Sequence, residues 1–254
     1  MEFYDYMSMI TERNVHTLIA GCTGSGKSVL LNGVICYIHT IEGAGMYLID
    51  PKRVELSQYR DSDNTVMYAD TTESILSALA SASSEMDRRF EDMQRRGLRK
   101  TDKPPRFIII DELAQFNRRV NPELAKGNEL LSRIATLGRA SNIFLIACTQ
   151  RPTNDVITPL FKINCDCKIA LRTSTDQESR NIIQTSDAHY LPRWGKCLIT
   201  HPDIMGIAEA PVRLYEDEEI EAFVYPNGHR ANRLQVSNTR PQKPKSFLQR
   251  LFGN

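Results

Sequence analysis

Short apolar runs alternate along the chain with stretches whose apolar positions recur every three or four residues. The runs fall at 16–20, 45–50, 106–111, 143–149 and 167–172. They are nearly continuous rather than alternating, as in strands buried on both faces. Between them, 72–97 places apolar residues at 75, 79, 82, 86, 90 and 93, which predicts one long amphipathic helix with Arg88, Arg89, Arg95 and Arg96 solvated. Residues 29–39, 122–137 and 176–184 also read as helices. Strands alternating with helices predict a parallel sheet wrapped on both faces. Residues 195–200 and 210–215 read as a small antiparallel pair added at one sheet edge.

Composition narrows the class. Of 254 residues, 41% are hydrophobic and 25% charged, enough for one large globular domain. We expect that domain at 1–225 and a separate basic tail at 226–254. The tail holds six Lys or Arg and no acid, and reads as a flexible linker ending in a short amphipathic helix. The run 216–221 carries five acids in six residues. Net charge is only +1, so no global basic field advertises nucleic acid. No apolar run approaches the ~18 residues of a membrane span. Residues 1–10 hold two acids and no base, unlike a secretory leader, so a cytoplasmic location is expected. The six cysteines form no CxxC pair and lie mostly in apolar runs, as buried thiols do.

The chemistry is announced by Gly21-Cys22-Thr23-Gly24-Ser25-Gly26-Lys27-Ser28, which fits the phosphate-loop pattern between a strand and a helix. In such a loop backbone N–H groups cradle phosphates, Lys27 reaches the β and γ phosphates, and the Ser28 hydroxyl ligates Mg²⁺. ATP and Mg²⁺ are thus the expected cofactors, with residues 21–28 and Val29 lining the nucleotide. The strand at 106–111 ends in Asp111-Glu112. After a phosphate loop, such a pair suits a Mg²⁺-holding Asp111 and a Glu112 that polarises the attacking water. That glutamate indicates the branch with an inserted strand, a P-loop NTPase with a RecA-like sheet in the order 5-1-4-3-2. Residues 143–149 supply the inserted strand, and Gln150 after it is placed to sense the γ-phosphate or to cap a turn. Asp50-Pro51-Lys52 ends a strand at the same sheet edge, its role open between structure and site.

These segments together resemble the motor domain of the FtsK/SpoIIIE DNA translocases. The carriers are HTLIAGCTGSGKSVLLNGVI, LIDPKRVELSQY, EMDRRFEDM, FIIIDELAQF, RIATLGRASNIFLIACTQRPTNDVIT and the S-x-x-E-S-R-N-I-like run at 174–182. The resemblance continues through WGKCLIT to about Val224. It implies an ATPase that assembles as a ring, usually a hexamer, and pulls double-stranded DNA through its channel. It also implies that Arg139, within GRASN, reaches a neighbouring subunit's ATP, with Arg180 as the alternative finger. Membrane helices, a preceding domain and a winged-helix module are not matched, which favours a stand-alone motor of a plasmid, phage or conjugative element, beside a relaxase or another accessory protein. A protein-export ATPase of the same superfamily and a non-motor nucleotide switch are the alternatives. For DNA, basic loops facing a channel would contact phosphates without reading sequence. Arg118 and Arg119 after the paired acids, with Lys126, and Arg151 and Lys162 after Gln150, are the candidates.

Overall fold

The computed structural model describes residues 2–226. Six strands run parallel: β1 (Thr17–Ala20), β2 (Gly45–Ile49), β3 (Thr65–Ala69), β4 (Arg106–Ile110), β5 (Ile143–Thr149) and β6 (Cys167–Ala170). β7 (Lys196–Thr200) and β8 (Ala208–Pro211) add an antiparallel ribbon beyond β6. The order is β3-β2-β4-β5-β1-β6-β7-β8. With the additions at both edges set aside, this is the expected 5-1-4-3-2, counting the five predicted strands in their own order. β3 extends the sheet by one strand beyond that reading. The outer strand of the ribbon covers 208–211 rather than 210–215. Beyond Pro211, Tyr215 packs into the core and Arg213 pairs with Glu219.

Seven α-helices cover the sheet among the described residues: α1 (Phe3–Glu12), α2 (Lys27–Ile38), α3 (Thr72–Arg96), α4 (Asn128–Leu137), α5 (Pro159–Asn164), α6 (Asp176–Ile183) and α7 (Asp217–Val224). Strand alternation splits the core in two. Phe107, Ile109, Phe144 and Ile146 point toward α1, α2 and α7, whereas Ile108, Ile110, Leu145 and Ala147 point toward α3 and α4. All seven residues of β5 are buried, which is why that segment reads as an unbroken apolar run.

α3 begins at a capping box between Thr71 and Ser74 and ends at Gly97, whose φ of 67° is the left-handed stop of a helix. Its predicted inner face is buried apart from half-buried Phe90, but Arg89 is not solvated as expected. It is buried, donating to Glu85 at 2.6 Å and to the Ser141 carbonyl at 2.8 Å. A carboxylate one helical turn away and a carbonyl from a distant segment let a guanidinium enter the core. The segment 122–137 is a 3₁₀ turn over Leu124–Gly127 followed by α4, not one continuous helix. The acidic run at 216–221 starts α7, where Glu216 and Glu219 form a capping box and the first-turn acids complement the positive end of the helix dipole. The linker and amphipathic helix expected in the tail lie outside the described residues, apart from Pro226.

Candidate nucleotide site

β1 delivers the chain at Ala20 into the centre of the sheet's carboxyl edge, and α2 starts at Lys27. The loop between them is held on both sides. The Gly21 amide donates to the Thr149 carbonyl at 3.3 Å, and the Cys22 amide to the Arg172 carbonyl at 2.8 Å. A Cβ at Gly21 would meet Ser25 Oγ at 2.6 Å and Leu171 Cβ at 2.8 Å, so only glycine fits. Gly24 and Gly26 take φ of 75° and 95°, the left-handed turns that curl successive amides toward one point. Ser28 and Val29 open α2, both half-buried. Cys22 is half-buried and the other five cysteines are buried; all six are free thiols.

The paired acids separate as the strand ends. Asp111 faces the loop, and its Oδ1 accepts a hydrogen bond from Lys27 Nζ at 2.9 Å, with both side chains buried. Burial alone would lower the Lys27 pKa, but Cys148, Asp111 and Glu112 around it raise it instead. Asp111 Oδ2 and Ser25 Oγ are buried without a hydrogen-bond partner. An unpartnered carboxylate oxygen beside a serine-capped phosphate loop fits a Mg²⁺–nucleotide, because Mg²⁺ takes few protein ligands and keeps water and phosphate oxygens. No group of three or more His, Cys, Asp or Glu suited to a metal occurs among the described residues.

Glu112 turns the other way, into a ring of donors. Oε1 accepts from Thr149 Oγ1 at 2.8 Å, from the Gln150 amide at 3.2 Å and from the Ala114 amide at 3.3 Å. Oε2 accepts from Lys52 Nζ at 2.8 Å. Burial would raise the Glu112 pKa, yet the bonds from Lys52, Thr149 and Gln150 outweigh it and hold the carboxyl below its ordinary value. Gln150 bridges the two halves of the site, since its Oε1 also accepts from Thr23 Oγ1 at 3.0 Å. The tripeptide after β2 divides its work. Asp50 is buried and shapes its own turn by accepting from the Val54 and Leu56 amides, while Lys52 reaches Glu112. Sequence spacing gave no signal for the Lys52–Glu112 pair, whose partners are 60 positions apart.

The FtsK/SpoIIIE family profile matches residues 3–108. A DNA translocase FtsK of Helicobacter pylori (strain J99) is 34% identical over 82% of this chain and 26% of its own length. The Bacillus subtilis DNA translocase SftA is also 34% identical, over 92% of this chain and 25% of its own. The chain belongs to the FtsK/SpoIIIE family. It spans about a quarter of the length of these relatives. Among solved structures, the pCW3 conjugation coupling protein TcpA with ATPγS superposes with a TM-score of 0.75 at 22% identity, over 85% of this chain and 65% of that one. The cytoplasmic domain of the Thermomonospora curvata type VII secretion ATPase EccC gives 0.66 at 20% identity, over 91% of this chain and 29% of that one. Both share the P-loop ATPase fold.

Within this FtsK/SpoIIIE fold the remaining candidates fall in three places. Arg139 precedes β5 and so lies at the amino edge of the sheet, opposite the phosphate loop, ion-paired with Asp166. Arg180 lies exposed on α6, next to Asn181, whose amide donates to the Pro152 carbonyl in the loop after β5. The two basic loops meet. Asn117 Nδ2 donates to the Asp155 carbonyl at 3.1 Å and to its carboxylate at 2.9 Å, beside a groove of about 570 Å³ that Arg118 and Arg119 line. Arg118, Arg119 and Arg151 are exposed. Lys126 is exposed but paired with Glu123, and Lys162 is half-buried on α5. Burial and the nearby Lys168 lower the Lys162 pKa. No helix among the described residues is long and apolar enough to cross a membrane.

Proposed function

We propose that this chain is the ATP-hydrolysing core of a motor that moves along double-stranded DNA as a ring, with six copies as the working number. The observation that carries the reading is the ring of donors around Glu112. One carboxylate joins the phosphate loop, through Gln150 and Thr23, to the start of the basic loop after β5, through Thr149 and the Arg151 backbone. A change at the γ-phosphate therefore has a short, bonded route to a loop that carries exposed cations. Residues 21–29 would hold ATP, and Ser28 and Asp111 would hold Mg²⁺. When bound, the metal would neutralise charge developing on the transferred phosphoryl group. Glu112 accepts the proton of the attacking water, and Lys27 pairs with the β and γ phosphates. Arg139 or Arg180 serves a neighbouring subunit's nucleotide. A plasmid, phage or conjugative element is the setting, in keeping with the TcpA fold. The names of the sequence relatives favour this reading over protein export.

The deciding experiment is the ATPase rate with and without linear duplex DNA. Stimulation by duplex of any sequence, falling steeply with salt, is expected. A rate indifferent to DNA would return the export ATPase as the better account. Charge reversal at Arg118 and Arg119 should remove most of the stimulation and leave the basal rate unchanged. A stimulated rate equal to the unmodified protein's would clear that loop of DNA contact.

Lys52 gives a pH signature. Glu112 must be ionised to act as base, and Lys52 helps hold its pKa below the ordinary value. In Lys52→Met the Glu112 pKa rises, so activity on the acid side should begin to fail at a higher pH than in the unmodified protein. The acid limb of the pH–rate profile measures this directly. A limb that stays in place would show that Lys52 does not set the base.

A further inference from the structure

β7 runs against β6, so its first residues return to the carboxyl edge of the sheet, where the phosphate loop lies. The turn that brings the chain back is Pro192-Arg193-Trp194-Gly195, with Gly195 at φ 85°. Trp194 is the only tryptophan in the chain, and two thirds of it (66%) is exposed. Its indole N–H donates to the Gly24 carbonyl of the phosphate loop at 3.0 Å. Arg193 lies over the same glycine. A Cβ built at Gly24 would come within 3.1 Å of its guanidinium, which also stacks on the Trp194 ring at 5.1 Å.

We propose that Arg193 and Trp194 form the base-side wall of the nucleotide site, the indole face taking the nucleobase and the guanidinium the polyphosphate. The inference rests on the phosphate loop binding a nucleoside triphosphate, as argued above. Three features carry it. The indole N–H is used on the loop itself, which anchors the ring beside the loop, and with the guanidinium over one face the residue is still two thirds exposed. An aromatic face is a sequence-tolerant platform for any base, because every base has a π-face. The guanidinium is exposed, yet fixed by stacking beside Gly24, so it gives the phosphates a second cation with donors already oriented. The same pair places the wall on the β6 side of the loop, opposite the Asp111–Glu112 side, so base recognition and hydrolysis do not compete for space.

The two residues make separable predictions, read by calorimetric titration of the full chain with ATP and with inorganic tripolyphosphate, which lacks a base. Trp194→Ala should weaken ATP binding about tenfold, the value of one stacked base, and leave tripolyphosphate unchanged. Trp194→Phe should recover most of the loss. Arg193→Ala should weaken both ligands to the same degree. In the unmodified protein ATP should quench the single tryptophan's fluorescence and tripolyphosphate should not. Equal weakening of ATP and tripolyphosphate by Trp194→Ala would mean that the ring only braces the loop, and ATP binding unchanged in that variant would remove it from the site; either overturns the proposal. Unmodified protein that binds neither ligand would instead remove the nucleotide reading beneath it, an outcome these variants cannot imitate.

Discussion

Glu112→Gln is expected to bind ATP nearly as tightly as the unmodified protein and to hydrolyse it about a thousandfold more slowly, the scale of a lost general base. The amide keeps the shape of the side chain, and Lys27, Asp111 and the loop amides proposed to hold the nucleotide are untouched. What changes is basicity and the ring of donors. The carboxylate accepts bonds on both oxygens, from Lys52 on one and from Thr149 and Gln150 on the other. An amide has one acceptor oxygen and one NH₂, so either Lys52 or the Thr149–Gln150 pair loses its acceptor. The variant should therefore unfold at a slightly lower temperature, by the equivalent of about 1–2 kcal/mol. Single-turnover hydrolysis and a thermal melt on the same protein test both parts. Hydrolysis at the unmodified rate would take Glu112 out of the chemistry.

Lys27→Ala should bind ATP so weakly that hydrolysis becomes undetectable, since it removes the cation proposed to face the β and γ phosphates. The substitution also leaves the buried Asp111 carboxylate without the partner 2.9 Å away. Removing one member of a buried pair costs about 3–5 kcal/mol, so lost activity alone could report a damaged fold. Lys27→Ala with Asp111→Asn separates the two effects. The double variant should regain most of the lost thermal stability and none of the nucleotide affinity. If stability and affinity return together, Lys27 acts only by holding Asp111.

The centre of this fold was legible in the sequence, because its signals are local. Eight consecutive residues specify the phosphate loop, and a strand ending in two acids fixes where Asp111 and Glu112 lie. The glutamate also pointed to the inserted strand and hence to the sheet order. The edges were harder. β3 has only one fully buried residue in five, so its pattern is too weak to read as a strand. α1 buries Tyr6, Met7 and Ile10 at helical spacing, a signal that was present but short. Arg89 looks solvated on a helical wheel, because the Ser141 carbonyl that accepts its bond comes from another element. The same holds for Lys52 and for Trp194, whose partners are distant in the chain and meet only once the sheet has closed.

α7 packs against α2 in the core that also holds Leu56 and Tyr59, and just past its end the Tyr225 hydroxyl donates to the Gln58 carbonyl at 2.6 Å. The chain thus leaves the β8 border of the sheet, packs along α2 and is stitched to the turn after β2, near the far border. The two open borders are joined by this strap. A force that peels the sheet from the β8 side must first break the Tyr225 stitch and lift α7 off α2. The strap turns a row of strands that could unzip one by one into a body that resists as a whole.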